Sequence, residues 1–486
     1  MNRHLDLHQE AGRCLLCENA PCSAVCRNGD PARAIRAIRF GNEKIAARWL
    51  GPCSEEELEA AEKACIHYDF PLRLREIAKA LPEAPKTGSA GKPSLAVDFC
   101  GIRCENPFFL ASSAVCTNYE MVANAFRAGW AGVYYKTICL QDIREVSPRF
   151  DAVKNLNGSF AGFRNMEQLS ENPVETDLDI LRRLKKDFPD KVVIASIMGQ
   201  HHDEWIKLAK MMEDIGVDAV ELNYSCPQMG ISGMGSDVGQ NDELVTYYTA
   251  FVKQAVKIPV IAKMTPNISS MRRVSTAAHF AGADGLSAIN TIKSITMSDE
   301  SAVSGKLTVS GLSGKAVKPI ALRFIHEMSS DKLMPGLQLS GIGGIETWKD
   351  ALEFIQLGCN NLQVCTAIME YGYRIIDDLV DGLGNYMQEK GLSSLDEIIG
   401  SRVGDFLLPP DLDRESVVFP IFDSTRCLGC GRCYVSCRDG GHQAIEFGAD
   451  RHPRLLGAKC VGCHLCRLVC PTGAISVSKR VPKRKK

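Results

Sequence analysis

Leu337-Gln338-Leu339-Ser340-Gly341-Ile342-Gly343-Gly344 is a short apolar run that breaks into glycines, and Asn361-Leu362-Gln363-Val364-Cys365-Thr366 is a second such run one amphipathic segment later. That alternation belongs to a parallel sheet with crossover helices. Six further candidate strands precede them, at 107–111, 132–136, 192–198, 219–223, 260–264 and 285–288; the two quoted runs supply 337–340 and 361–365. Amphipathic stretches such as 203–215 and 348–357 follow the strands. Eight parallel-type strands predict an α/β fold, a (β/α)8 TIM barrel over 94–407, with an open doubly wound sheet as the alternative. The glycines favour the barrel, because the loops after strands seven and eight of a barrel form a phosphate site at its C-terminal rim. There backbone N–H groups approach the anion closely, and the next helix N-terminus adds its dipole.

The chain has 486 residues, enough for two to four domains of ordinary size and a large core. Apolar residues make up 45% and charged residues 24%, which excludes a disordered or fibrous class. Lys plus Arg number 57 against 58 for Asp plus Glu, so no basic face for nucleic acid is expected. Only Lys479, Arg480, Lys483, Arg484, Lys485 and Lys486 form a basic run, read as a solvated tail. No apolar run reaches the roughly 18–20 residues of a membrane helix. Arg3, Asp6, Glu10 and Arg13 stand where a signal peptide would be apolar, so the expected location is cytoplasmic.

Residues 1–85 read as a small α-helical extension. Asp30-Pro31 is an N-cap followed by proline at the first helical position, and amphipathic stretches cover 34–50, 55–65 and 72–81. Three prolines and two glycines in 82–93 mark a linker, and Leu408-Pro409-Pro410-Asp411 marks a second. The last segment, 408–486, repeats itself at an interval of 33 residues.

The chain holds 21 cysteines, too many for a reducing compartment unless they ligate metal or clusters. Cys427-x2-Cys430-x2-Cys433-x3-Cys437 and Cys460-x2-Cys463-x2-Cys466-x3-Cys470 are two ferredoxin runs. Two-residue gaps wrap three sulfurs round one cube, and the fourth cysteine of each run ligates the other cube. Cys427, Cys430, Cys433 and Cys470 are therefore expected to hold one [4Fe–4S] cluster, and Cys460, Cys463, Cys466 and Cys437 the second. Arg438 replaces the usual proline after the first run. The N-terminal quartet Cys14-x2-Cys17-x4-Cys22-x3-Cys26 is looser. One further Fe–S cluster is expected there, its fourth ligand being Cys26 or Cys65, with Cys53 a further candidate; zinc is the alternative. Cubes move single electrons, so the barrel must supply a reactive organic cofactor.

Lys136 closes predicted strand two and Lys263 closes strand five; a lysine so placed is desolvated and needs an anion, such as the N1–C2 edge of a reduced flavin. Gly314, in Gly311-Leu312-Ser313-Gly314, can add amides for the phosphate. Asn165, Asn223 and Asn290, the last followed by Thr291, gather at predicted strand ends. Each offers a donor and an acceptor to a ring of alternating C=O and N–H groups. Cys226 stands at the root of a loop rich in glycine and methionine, suited to a lid. A thiol with a pKa near 8.5 is protonated at neutral pH and can serve as general acid.

At these residues the chain resembles the PreA subunit family of bacterial NAD-dependent dihydropyrimidine dehydrogenase and the C-terminal part of the single-chain mammalian enzyme. More distantly it is similar to dihydroorotate dehydrogenases. The likeness covers about residues 94–480. It rests on Asn223-Tyr-Ser-Cys226-Pro, Ala262-Lys263-Met-Thr-Pro-Asn267, Ser287-Ala-Ile-Asn290-Thr291, Ser313-Gly314-Lys-Ala-Val-Lys-Pro-Ile and Ser340-Gly-Ile-Gly-Gly-Ile345. The resemblance implies FMN in the barrel, contacted by Ala111, Ser112, Lys136, Lys263, Gly314, Ser340, Gly341, Gly343, Gly344, Cys365 and Thr366. It implies a pyrimidine held by Asn165, Asn223, Asn290 and Thr291, with Cys226 as the acid at C5 and Lys263 supporting the flavin. Cys14-Leu-Leu-Cys17-Glu-Asn-Ala-Pro-Cys22 resembles an N-terminal Fe–S domain usually carried by the flavoprotein partner. Two clusters there would need more downstream cysteines than Cys53 and Cys65 supply.

The expected activity is an oxidoreductase reaction on a CH–CH bond, reduction of the 5,6 double bond of uracil or thymine. No G-x-G-x-x-G follows a strand, so no Rossmann site for NAD or FAD is visible. An NAD(P)H-oxidising FAD flavoprotein (PreT-like) is therefore the expected partner, in a hetero-oligomer. The alternatives are a dihydroorotate dehydrogenase and an electron-transfer subunit with an inactive barrel.

Overall fold

The computed structural model describes residues 6–84, 93–155, 160–227, 229, 233–297 and 308–483. Eight parallel strands form the barrel: β1 (Phe108–Leu110), β2 (Gly132–Ile138), β3 (Val192–Ile197), β4 (Ala219–Asn223), β5 (Val260–Lys263), β6 (Gly285–Ala288), β7 (Leu339–Ile342) and β8 (Cys359–Val364). Neighbours in sequence are neighbours in space, and β8 pairs with β1 (Val364 beside Leu110), which closes the sheet and excludes the open alternative. All seven residues of β2 and all six of β3 are buried, because the helices cover one face and the barrel interior the other.

Two strands outrun their expected ends. β2 continues to Ile138, which pairs with Ile197 beyond a local irregularity. β7 continues to Ile342, since Gly341 and Ile342 lie in register with Leu362 and Gln363 of β8. Below the barrel, an antiparallel hairpin of Val97–Phe99 and Ile102–Cys104 plugs the N-terminal end. Gly285 opens β6 because a Cβ there would lie 2.6 Å from Cys100 Sγ.

Above the mouth sits a four-stranded antiparallel sheet with no counterpart in the sequence reading. Its strands are Phe150–Lys154, Phe160–Asn165, Ser310–Ser313 and Ile292–Ser294. They come from the β2–β3 and β6–β7 connections, and the pairing sets Asn165 beside Gly311 and Ile292 beside Leu312. Fully buried Arg164 stitches the sheet by an ion pair to Asp151 at 3.2 Å and a hydrogen bond to the Thr308 carbonyl at 2.9 Å.

Asp30 caps the helix Pro31–Arg39 as its sequence predicts, accepting from Arg33 N at 3.0 Å. The expected helical stretch 34–50 divides at Phe40–Asn42, where Gly41 takes a positive φ, and resumes as Glu43–Leu50. Contacts group the described chain into two compact units: Cys14–Asp405, and a second joining the described residues before Cys14 to those after Asp405. The N-terminal helices from Cys14 onward thus share the barrel's unit. Of the linker expected at 82–93, residues 85–92 lie outside the described residues.

The joint between helices and barrel is ionic. Buried Arg36 reaches Asp378 at 2.5 Å, and Asn42 donates to the Asp378 carbonyl at 2.8 Å. In the second unit, strand pairs Pro420–Phe422 with Ile475–Val477 and Ile445–Phe447 with Pro453–Leu455 flank the helices Arg432–Gly440 and Leu465–Leu468. Among the described residues, no helix is long and apolar enough to cross a membrane.

Asp378→Ala would take the close carboxylate from buried Arg36 and leave it the longer pair with Asp377, at 3.6 Å, and is expected to destabilise the barrel unit by about 3 kcal/mol. Lys44→Ala, at the exposed pair with Glu389, should cost under about 1 kcal/mol. Denaturant midpoints of the two variants check the contrast.

Candidate active site

The C-terminal ends of the strands converge on one cavity of about 1070 Å³. Asn223 ends β4 and Lys263 ends β5, side by side in register. Ala111 and Ser112 follow β1; Cys365 and Thr366 follow β8. With Lys136, Asn165, Cys226, Asn290, Thr291, Gly314, Gly343 and Gly344, all of these line the cavity. Asn165 does not lie at a barrel strand end. It reaches the mouth on the covering sheet, which also brings it close to Thr291.

At one end the cavity wall is stripped of side chains. A Cβ on Gly344, where φ is +77, would lie 2.7 Å from Lys318 Cβ and 2.9 Å from the Gly314 carbonyl. Ser313 and Thr366 hydroxyls share a hydrogen bond of 2.9 Å beside it. This is a backbone cradle of the kind a phosphate fills. Ser340 and Gly341 take no part in it, contrary to expectation. β7 runs on past them, so Ser340 points into the barrel, donating to Asn361 Oδ1 at 2.6 Å. Gly341 makes room for Phe354 and Cys359 on the outer face.

At the other end, polar side chains are fixed by one another. Asn290 donates to Ser225 Oγ at 2.9 Å, Ser225 Oγ to Asn223 Oδ1 at 2.8 Å, and Asn223 to Thr137 Oγ1 at 2.9 Å. Asn165 Oδ1 accepts from Glu167 N at 2.7 Å. Lys136 pairs with Glu167 at 2.7 Å, and the far oxygen of Glu167 meets Arg149 at 3.1 Å. Lys263 Nζ lies 3.4 Å from Glu221 Oε1. Among the described residues, Gln363 Oε1, in the cavity wall, is buried without a hydrogen-bond partner. Burial pushes the Cys365 thiol up and holds Cys116, behind it, at about 12. Both stay neutral.

Cys226 is buried to 6% exposure and lines the cavity. Its carbonyl accepts from Ser236 N at 2.9 Å, tying the loop's two ends together. The expected lid falls partly on residues 228 and 230–232, outside the described residues. Sequence reasoning missed Thr137, Glu167 and Glu221. The acids could have been found, because a carboxylate inside an apolar strand, or two residues from a polar site residue, demands a cation.

The sulfur sites follow the spacing. Cys427, Cys430, Cys433 and Cys470 line a cavity of about 400 Å³, so the first run meets the last cysteine of the second. Cys437 and Cys466 are buried, and burial plus the neighbouring sulfurs push Cys466 up to about 11. Gly429 N and Gly462 N donate to Cys427 and Cys460 Sγ at 3.4 Å, each glycine with positive φ. In the N-terminal helices, Leu16 N donates to Cys14 Sγ at 3.4 Å, and Leu16 accepts the same positive φ despite its side chain. Cys14, Cys17, Cys22 and Cys65 line a cavity of about 340 Å³ there. Burial and the other three sulfurs push Cys22 to about 11. Cys26 does not join them: the chain leaves the helix Pro21–Ala24 before it, and its thiol faces Cys53 and the Glu57 carbonyl.

Residues 94–387 match the model of the dihydroorotate dehydrogenase family. The chain belongs to that family. Residues 421–477 match a 4Fe-4S dicluster domain. The NAD-dependent dihydropyrimidine dehydrogenase subunit PreA of Escherichia coli K12 is 50% identical over 392 residues, 79% of this chain and 95% of that protein. A chloroplastic dihydropyrimidine dehydrogenase (NADP(+)) of Arabidopsis thaliana is 37% identical over 373 residues, 72% of this chain and 88% of its own. The dihydroorotate dehydrogenase B (NAD(+)) catalytic subunit of Pyrococcus abyssi is 38% identical over 310 residues, 63% of this chain and 98% of its own.

Gly341→Ala is expected to lower stability by about 1–3 kcal/mol through overpacking against Phe354 and to leave ligand affinity of the cavity unchanged. Thermal melts and ligand titration of the same variant separate the two effects.

Proposed function

We propose that this chain is the catalytic subunit of a dihydropyrimidine dehydrogenase, reducing the 5,6 double bond of uracil or thymine. The observation that carries the reading is the single cavity holding a stripped backbone cradle, two buried lysines, three tethered asparagines and a cysteine. Half-identity to the PreA subunit over nearly its whole length supports the substrate class.

FMN fits this cavity: Gly314, Gly343 and Gly344 would hold its phosphate, while Lys136, Lys263 and the unpartnered Gln363 oxygen would meet its ring. Bound FMN supplies the hydride that C6 of the pyrimidine accepts, and the cubes supply its electrons one at a time. Asn165, Asn223, Asn290 and Thr291 orient the pyrimidine through donors and acceptors already aimed by their neighbours. Cys226 holds the proton delivered to C5. Lys136, clamped by Glu167, keeps a positive charge on the same wall. The segment 94–407 is the flavin barrel and 408–486 the double-cube domain.

The segment 1–85 carries one more [4Fe–4S] cluster, on Cys14, Cys17, Cys22 and Cys65. The shared Cys-x-x-Cys turn, with its N–H to sulfur bond, supports a cube there. An NAD(P)H-oxidising FAD flavoprotein feeds these clusters in a cytoplasmic hetero-oligomer.

Anaerobically reduced protein should be reoxidised by uracil and not by orotate, and Cys226→Ala should slow that step tenfold or more, about the weight of a general acid. Stopped-flow absorbance checks it; reoxidation by orotate alone overturns the substrate assignment. Iron analysis tests the third cluster. About twelve irons per chain should fall to about eight in Cys65→Ser and stay at about twelve in Cys26→Ser.

A further inference from the structure

Inside the barrel, one layer below the mouth, Glu221 of β4 is fully buried. A carboxylate at zero exposure needs a cation or full hydrogen bonding. One oxygen has the latter: Oε2 accepts from Ser287 Oγ at 2.7 Å and from Gln363 Nε2 at 3.4 Å. The other, Oε1, has no hydrogen-bond partner among the described residues and lies 3.4 Å from Lys263 Nζ. That gap is too long for a full charge-assisted hydrogen bond, which closes at about 2.7–2.9 Å. The short bond from Ser287 anchors the carboxylate at its other oxygen. Lys263 is itself 3% exposed and stands on the cavity wall.

We propose that Glu221 is a positioning residue, a fixed counter-charge beneath Lys263 that keeps this lysine an ammonium in both redox states of the bound ring while leaving its protons free to face the ring. The inference rests on the flavin reading above. A buried lysine with no counter-charge sheds its proton. Without Glu221 it would do so whenever the ring is neutral, and regain it when the ring becomes an anion.

The other titratable groups facing the pair do not compete. Tyr134 is pushed well above its ordinary value, by burial first and then by the charge of Glu221. Cys116 and Cys365 are raised by burial, although Lys136 and Lys263 both pull them down. Lys136 is committed to Glu167. Lys263 and Glu221 are thus the charges of this layer.

In the native protein, reduction of the ring to its anion consumes two electrons and one proton. In Glu221→Gln, which keeps the shape and the Ser287 contact, it should consume two electrons and two protons, the second taken by Lys263. The pH dependence of the flavin midpoint potential should therefore steepen twofold across the neutral range. Spectroelectrochemical titration of the holoprotein reads this without turnover. An unchanged slope in Glu221→Gln overturns the inference, as does a native protein already taking two protons. Glu221→Asp, which retains the charge, should keep the native slope; a steepened slope there overturns it as well, and this variant decides if Glu221→Gln retains no flavin. A native chain that binds no flavin would instead defeat the functional reading itself.

Discussion

Closure of eight parallel strands governs the cavity and everything that lines it. It aims the C-terminal end of each strand at one mouth, so residues separated by 254 positions in sequence, such as Ala111 and Cys365, share a wall. It also buries both faces of every strand. Any polar side chain pointing inward must then be satisfied by others pointing inward. Tyr134 donates to Asn361 Oδ1 at 3.1 Å, Ser340 donates to the same oxygen, and Gln363 links Ser340 to Glu221. The layer beneath the mouth is thus a hydrogen-bonded framework, which gives the charged residues above it fixed places.

A second constraint is independent of the barrel. Three or four sulfurs must meet at one point without their mutual repulsion unfolding the loop. The chain solves this identically at Cys14, Cys427 and Cys460: the residue two positions on turns to positive φ and points its N–H at the sulfur. Glycine occupies that residue in the two C-terminal turns, and leucine at position 16. A leucine bears a conformational cost of about 1–2 kcal/mol there, which persists only where the surrounding structure enforces the turn.

The barrel was legible because strands buried on both faces read as continuous apolar runs, and all eight were found to within a few residues. The meeting of Cys427, Cys430 and Cys433 with Cys470 was legible because cysteine spacing is a geometric code. The sheet above the mouth was not. Its strands are three to six residues long, are broken by glycine and arginine, and pair only through tertiary contact between two distant connections. Asn165, expected at a barrel strand end, therefore reaches the cavity from the covering sheet instead. Ser340 and Gly341, expected among the flavin contacts, stand inside β7 instead, where ladder pairing with β8 and the bulk of Phe354 account for the glycine. Cys26 fitted a ligand spacing, but the end of a four-residue helix turned it away.

The two lysines of the mouth show how sequence distance becomes a division of labour. Lys136 finds its carboxylate, Glu167, just beyond the covering sheet, and Arg149 beside that sheet shares it. Lys263 finds Glu221 on the adjacent barrel strand, locked by Ser287 and Gln363. A shift of the covering sheet would move the counter-charge of Lys136 and leave that of Lys263 where it is. The counter-charge of the deep wall thus stands on the barrel itself, and that of the outer wall stands next to the inserted sheet.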